Sequence, residues 1–223
     1  MDGDVVGTGC FFDYGVVAWI GYVGVIPEYQ RRGVGTAIMR ELLSRLESRG
    51  IQTVRLDSTR EGYGLYKKLG FIDEYDTIAY TLSEETICDD KVQSNVMILE
   101  ALNDEVRILD KEAFGADRSK VIKAWVKRGA RILYVKNRGY ALVWRYKVGP
   151  VIAIDYEIAK ALLCEAIKLG ARQITIPEAN RYSVELVKEF NGLEQTRCRR
   201  TRKGKEHREN VDLVYGILNY AKG

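Results

Sequence analysis

The 223-residue chain holds one histidine, His207, and four cysteines, Cys10, Cys88, Cys164 and Cys198, none of them in a Cys-x-x-Cys pair. That scarcity argues against a zinc site, which gathers clustered Cys and His ligands. Scattered single cysteines suit a reducing cytoplasm. No apolar run approaches the length needed to cross a bilayer, and no secretory signal opens the chain, so the expectation is a cytoplasmic protein without membrane contact. The net charge is only +4, which gives no ground for nucleic acid by itself. Neither Gly-x-x-x-x-Gly-Lys-Ser/Thr nor Gly-x-Gly-x-x-Gly occurs, so a Walker loop and a dinucleotide fingerprint are both excluded.

What is present is a chain long enough for one large domain or two small ones. Its most informative stretch is Val25-Ile-Pro-Glu-Tyr-Gln30-Arg31-Arg32-Gly33-Val34-Gly35-Thr36. An apolar strand, Val16 to Val25, runs into it, and its lack of polar residues predicts burial on both faces. An amphipathic helix, Val34 to Ser48, runs out of it, with Val34, Ile38, Leu42 and Leu46 on one stripe. The basic, glycine-rich turn therefore sits at a helix N-terminus, where free N–H groups and the helix dipole favour an anion. Gly33 and Gly35 allow close backbone approach. The pattern predicts a pyrophosphate cradle.

Further along, Ile51 to Leu56 reads as a strand and Asp57-Ser58-Thr59 as a helix cap. Gly62 to Leu69 reads as a short helix, and Phe71 to Leu82 as a strand. The polar, acidic stretch Ser83 to Ser94 predicts a domain boundary, placed between residues 88 and 89. Helices are expected over Asn103 to Phe114, Ser119 to Lys127, Tyr156 to Leu169 and Tyr182 to Phe190. The order strand, helix, strand, short helix, strand then occurs twice. Leu65-Tyr66-Lys67-Lys68-Leu69-Gly70-Phe71 is echoed by Leu186-Val187-Lys188-Glu189-Phe190-Asn191-Gly192-Leu193, which suggests two related folds in tandem. The second copy carries Ala153-Ile154-Asp155-Tyr156 where the first has its glycine turn. An acidic residue there repels phosphate, so one cofactor site is expected, in the first half.

Gln-x-x-Gly-x-Gly after a Val-x-Pro strand end resembles the coenzyme A loop of the GCN5-related N-acetyltransferases (GNAT). Asp117-Arg118-Ser119, Gly149-Pro-Val151 and Tyr215-Gly216 resemble a branch in which a catalytic domain precedes a degenerate second one. The resemblance implies an α/β fold, a mixed sheet flanked by helices, with two tandem GNAT-like domains at 1–88 and 89–223. It implies acetyl-CoA as co-substrate and no metal. By resemblance, the backbone of Val23 and Val25 pairs with the pantetheine arm. Gln30, Arg31, Arg32, Gly33, Val34, Gly35 and Thr36 hold the pyrophosphate, and Tyr66 is the catalytic acid beside the sulfur. The strand-helix-helix-strand that opens such enzymes is missing before Asp2-Gly3, so the first domain is read as N-terminally truncated. That predicts a bare sheet edge at residues 5–12, open to pairing in a homodimer.

The implied reaction is acetyl transfer to a primary amine, on a small molecule or a peptide, by direct attack. The alternative is an acyl-CoA-binding sensor or inactive remnant without turnover. An ammonium with a pKa near ~10.4 must be neutralised first. The strand Val16–Val25 offers no carboxylate for this; Asp57 is a candidate base, although a helix cap is its plainer reading, and a water relay serves equally. Asp117-Arg118-Ser119 either faces the acceptor or forms an internal pair. The cluster Arg197, Arg199, Arg200, Arg202, Lys203, Lys205, Arg208 has no interleaved aromatics, which favours a solvated hairpin loop over a nucleic-acid patch.

Overall fold

The structure, a computed structural model, describes residues 3–83 and 95–223. The boundary expected between residues 88 and 89 lies outside the described residues. Two compact units emerge: Met1–Glu74 with Cys198–His207 and Tyr220–Gly223, and Tyr75–Arg197 with Arg208–Asn219.

In the first unit, β1 (Gly7–Asp13) turns through Asp13-Tyr14-Gly15 into β2 (Val17–Val25). The Asp13 carboxylate accepts the Gly15 N–H at 2.9 Å and Gly15 takes a φ of +86°, a left-handed turn position that glycine fills without strain. Helix α1 (Val34–Ser48) carries the chain over to β3 (Thr53–Ser58), which lies parallel to β2. Met39, Leu42 and Leu46, spaced three and four apart, bury the inner face of α1 against Ala18, Ile20, Val54 and Leu56. Helix α2 (Arg60–Lys68) follows, capped by Thr59 rather than Asp57.

A remote strand completes this sheet. Of β10 (Leu193–Gly204), residues Arg199 to Gly204 pair antiparallel with β3, from Arg199 opposite Ser58 to Gly204 opposite Thr53. Most of the basic cluster therefore lies in strand rather than in a solvated hairpin loop, with only Lys205 and Arg208 beyond it. Several of its charges are met by acidic groups, most of them distant in sequence. Arg200 pairs with Asp57 and Arg202 with Glu74, while in the second unit Arg197 bonds Asp76, Glu178 and Glu194.

The parallel pairing of β2 with β3 runs only from Val17 opposite Thr53 to Trp19 opposite Arg55. Val17 to Ile20 are buried, but the strand is half-exposed beyond Ile20. Burial on both faces thus holds for the first half of β2 alone, because β3 leaves it there.

The second unit contains the C-terminal part of β4 (Ile72–Thr81), then β5 (Met97–Leu99), α3 (Asp104–Phe114), α4 (Ser119–Lys127), β6 (Arg131–Val135), β7 (Gly139–Trp144), β8 (Lys147–Ala153), α5 (Tyr156–Lys168), β9 (Gln173–Pro177), α6 (Arg181–Glu189) and β11 (Val214–Gly216). Its strands run in the order β4-β9-β8-β7-β6-β5, with β11 on β8. Helix α5 packs Ile158, Leu162, Leu163 and Ala166 onto Leu133, Ala141, Val151 and Ile174. Its Cys164 is disulfide-bonded, whereas Cys10 and Cys198 are not in a disulfide. The reading of four isolated cysteines therefore does not extend to Cys164, since spacing along the chain does not report distance in the fold. No helix among the described residues is long and apolar enough to cross a membrane.

Candidate active site

Strand β2 delivers the chain into a 3-10 turn, Pro27–Tyr29, and then through Gln30 to Gly33 into α1. Gly33 caps the helix in the left-handed region (φ +86°), its carbonyl accepting from Ala37 N–H at 2.9 Å. A Cβ at Gly33 would meet nothing within 4 Å, so the backbone conformation, not packing, calls for glycine. Arg31 is also left-handed, with φ +58°. The Gln30 amide donates to the Val25 carbonyl at 3.0 Å and ties the loop to the end of β2. A Cβ at Gly35 would lie 3.4 Å from Leu65 of α2 and 3.7 Å from Val25, so the first turn of α1 sits where β2 and α2 converge.

The start of α1 is chemically unusual within this chain. Among the described residues, the first turn of every other α-helix donates to a side chain: α2 to Thr59, α3 to Asn103, α4 to Asp117, α5 to Asp155 and α6 to Asn180. Helix α1 has no side-chain cap and no acidic residue in its first turn. Its open N–H groups, with Arg31 and Arg32 exposed beside them, are available to an external anion.

The adjacent edge of β2 is open as well. Ile26 N–H donates to the Val6 carbonyl at 3.0 Å, toward β1. Alternation along the strand then turns the backbone groups of Val25 and Val23 to the opposite side, the side β3 has vacated. A bulge marks the transition: Thr8 faces Gly24 and Cys10 faces Gly21, so β2 holds one extra residue, and Tyr22 there has φ +54°.

Tyr66 projects from α2 into the cluster that also holds Val23 and Leu65. Its ring is buried and meets Phe71 edge-on at 5.9 Å. Its hydroxyl has no hydrogen-bond partner among the described residues. Burial, and secondarily the charge on Cys198, push its phenol above the ordinary value, so it stays a proton donor. The expected site residues Val23, Val25, Gln30 to Thr36 and Tyr66 thus lie in one part of the first unit.

Asp57 is not a free base. Its carboxylate accepts from Arg200 Nε (3.0 Å) and Nη2 (3.1 Å), both side chains are essentially inaccessible, and the guanidinium stacks 4.5 Å over the Trp19 ring. Arg118 forms the second unit's counterpart. It makes a bidentate pair with Asp110, not Asp117, 4.3 Å over Phe114, and Tyr140 also donates to Asp110. Asp117 instead accepts from Ser119 N–H at 2.8 Å. The Asp-Arg-Ser signature therefore holds its own unit together.

Sequence reasoning missed the segment Tyr220–Lys222. It lies on β2, with Trp19 Nε1 donating to Tyr220 O (3.0 Å), Tyr14 to Lys222 O (2.9 Å) and Lys222 Nζ to Tyr22 (2.5 Å). Ala221 packs so tightly that a Cβ at Gly21 would fall 2.6 Å from it. The small residue Gly21 opposite Ala221 was the available signal, but a separation of 200 residues in sequence hid the pairing.

The second unit repeats the strand geometry and closes it. Strands β8 and β9 are parallel only at Lys147 opposite Gln173 and Val148 opposite Ile174. Strand β11 takes the gap beyond: Val214 pairs with Ile152 and Gly216 with Val151, while Ile217 N–H donates to Thr175 O at 2.8 Å. Asp155 occupies the start of α5, accepting from Ile158 N–H at 2.9 Å. Val187, matching Tyr66, is wholly buried.

A strand that parts from its parallel neighbour beside an uncapped, glycine-led helix defines the first unit as an acyl-CoA-type transferase fold. Comparison with known proteins agrees for both halves. The acetyltransferase (GNAT) family matches residues 1–71, and an acetyltransferase (GNAT) domain matches residues 106–216. A crystal structure from Pyrococcus horikoshii, of a protein provisionally named an acetyltransferase, superposes with a TM-score of 0.94. It is 45% identical, over 98% of this chain and 76% of that one. The uncharacterized N-acetyltransferase YitH of Bacillus subtilis is 26% identical over 189 residues, 79% of this chain and 66% of that protein. The ribosomal protein bS18-alanine N-acetyltransferase of Escherichia coli is 40% identical over 52 residues, 22% of this chain and 35% of the enzyme. The chain thus spans 66% and 35% of the lengths of these two curated relatives. It belongs to the GNAT acetyltransferase family, with two family domains in tandem.

Proposed function

We propose that the chain is an N-acetyltransferase that moves the acetyl group of acetyl-CoA to a primary amine by direct attack. The observation that carries this reading is the uncapped start of α1 beside the open edge of β2. The pyrophosphate is held by the backbone of Gln30 to Thr36 with Arg31 and Arg32, and the pantetheine arm adds to β2 at Val23 and Val25. Bound there, the cofactor supplies the thioester.

The amine must lose its proton before attack. Asp57 is committed to Arg200, so the proton leaves through water. The departing thiolate needs a donor, and the unpartnered hydroxyl of Tyr66, on a buried ring, has the protonation state and the surroundings for it. The family relatives are named as acetyltransferases, and nothing in the site favours the sensor reading. The bS18 relative matches too short a stretch to assign its alanine acceptor here, so the acceptor is left as a small-molecule or peptide amine.

Calorimetric titration with acetyl-CoA, beside a Gly33→Glu variant, tests the reading. Micromolar binding by the native chain and a loss on the order of 100-fold in the variant are expected, because a carboxylate beside the cradle opposes the pyrophosphate. Equal affinity in both proteins would remove the cradle from the proposal. Mass spectrometry of an amine panel incubated with the native protein then reads turnover.

A further inference from the structure

The second unit contains a cavity of about 850 Å³, of the size that accepts small molecules. It lies at the starts of α5 and α6 and against the segment leading into β11, where a matching unit would receive its cofactor. Two helix N-termini would ordinarily favour an anion, but both are already satisfied. Asp155 accepts from Ile158 N–H, and Asn180 from Tyr182 and Ser183 N–H.

The walls carry the opposite chemistry. Asp155 and Asp212 line the cavity with the rings of Tyr156, Tyr182 and Tyr215. Asp155 is balanced by Arg138 at 2.6 Å, while the Asp212 carboxylate makes no ion pair among the described residues. The cation on the wall, Arg181, bonds the Tyr182 hydroxyl at 2.6 Å, lies 4.6 Å over its ring, and sits in the negative field of Glu185 and Asp212. Tyr215 is 2% exposed, yet its hydroxyl has no partner among the described residues. Its phenol is pushed up to about 12, by burial first and then by Asp155, Tyr182, Asp212 and Glu185, which reports the negative field at this wall.

We propose that this cavity is a binding site for an organic ammonium ion, separate from the acetyl-transfer site of the first unit. Asp212 supplies the counter-charge, the tyrosine rings supply faces that attract a cation, and the Tyr215 hydroxyl accepts a hydrogen bond from an N–H when the ligand has one. The charge inversion relative to the α1 cradle is what turns a vacated cofactor position toward cations.

The probe is benzyltrimethylammonium, which has no N–H to acetylate and so reports binding alone. Titration of the full chain, followed by calorimetry and tyrosine ring resonances, should show one saturable site. Asp212→Asn and Tyr182→Ala should each weaken it about fivefold, and together more than tenfold. Their thermal unfolding midpoints, read without ligand, should match the native protein. Inorganic pyrophosphate should not compete. Absence of saturation up to about 10 mM, affinity unmoved in the double variant, or displacement by pyrophosphate would each overturn the assignment. None of these outcomes depends on whether the first unit binds acetyl-CoA, which a parallel titration reads independently.

Discussion

Each unit opens a parallel strand pair in the same way, and they differ in what enters the gap. In the first, β2 leaves β3 after Trp19, so β3 does not pair with Val23 or Val25; the Val25 carbonyl takes the Gln30 amide, and the helix that follows has no side-chain cap. In the second, β8 leaves β9 after Val148, β11 pairs into the gap, and Asp155 caps the helix. The second unit thus fills its strand gap with its own chain, and the first does not fill it with a strand. On the proposed reading, degeneration is a matter of occupancy rather than fold loss: β11 lies where the first unit would take a cofactor arm, and the Asp155 carboxylate lies where it would take a phosphate.

The sharpest way to break the parallel is through the buried pairs Arg200–Asp57 and Arg118–Asp110, one in each unit. Removing one partner leaves a buried charge unmatched, so Arg118→Ala and Arg200→Ala should each cost about 3–5 kcal/mol in urea unfolding. Only Arg200→Ala should also abolish acetyl-CoA binding, because only it disturbs β3. A smaller effect is expected at the chemistry. Tyr66→Phe should lower kcat on the order of 10–100-fold with acetyl-CoA affinity unchanged, whereas its counterpart Val187 offers no group to lose. In the native enzyme the raised Tyr66 phenol should keep the descending limb of the kcat profile above about pH 10.

Conversion of the second unit should fail in an informative way. Asp155→Gly uncaps α5 and costs at most a few tenths to about 1 kcal/mol. Acetyl-CoA stoichiometry should nevertheless stay at one per chain, because β11 still fills the gap; a second equivalent bound in calorimetry would overturn that account. The smallest expected effect belongs to acid titration of the second unit. Lys160, then Tyr156, holds Glu189 below the usual carboxylate range, and Arg197 does the same for Glu194. Their stabilisation is present above the unfolded-state pKa of about 4.3 and is lost as pH falls through the lower folded values. The thermal midpoint should therefore sag below about pH 4, less so in Lys160→Met with Arg197→Met.

The elements written in local pattern were legible in the sequence. The stripe of α1, the glycine turn before it and the acidic Asp155 at the matching helix start of the second half are each written within a few residues, where helix periodicity and capping chemistry operate. The fate of the basic cluster was not legible, because neutralisation of Arg200 and Arg202 depends on Asp57 and Glu74, which lie more than a hundred residues away. The same distance hid the demotion of Asp57 from candidate base to ion-pair partner. The strand that closes the second gap was missed for another reason: Val214–Gly216 is only three residues long, too short for any alternation to show.

Strand β10 also sets the order in which this molecule can be made. The first unit draws residues 198–207 from the far end of the chain to flank β3. During synthesis, β3 and Asp57 emerge long before Arg200 exists, so the first unit waits, with a carboxylate destined for burial still unpaired, until most of the second unit's sequence has been translated. Long-range pairings of this kind slow folding. A fragment ending near residue 88 would lack the neighbouring strand altogether. The first unit therefore cannot complete its sheet until residues 199–204 have emerged.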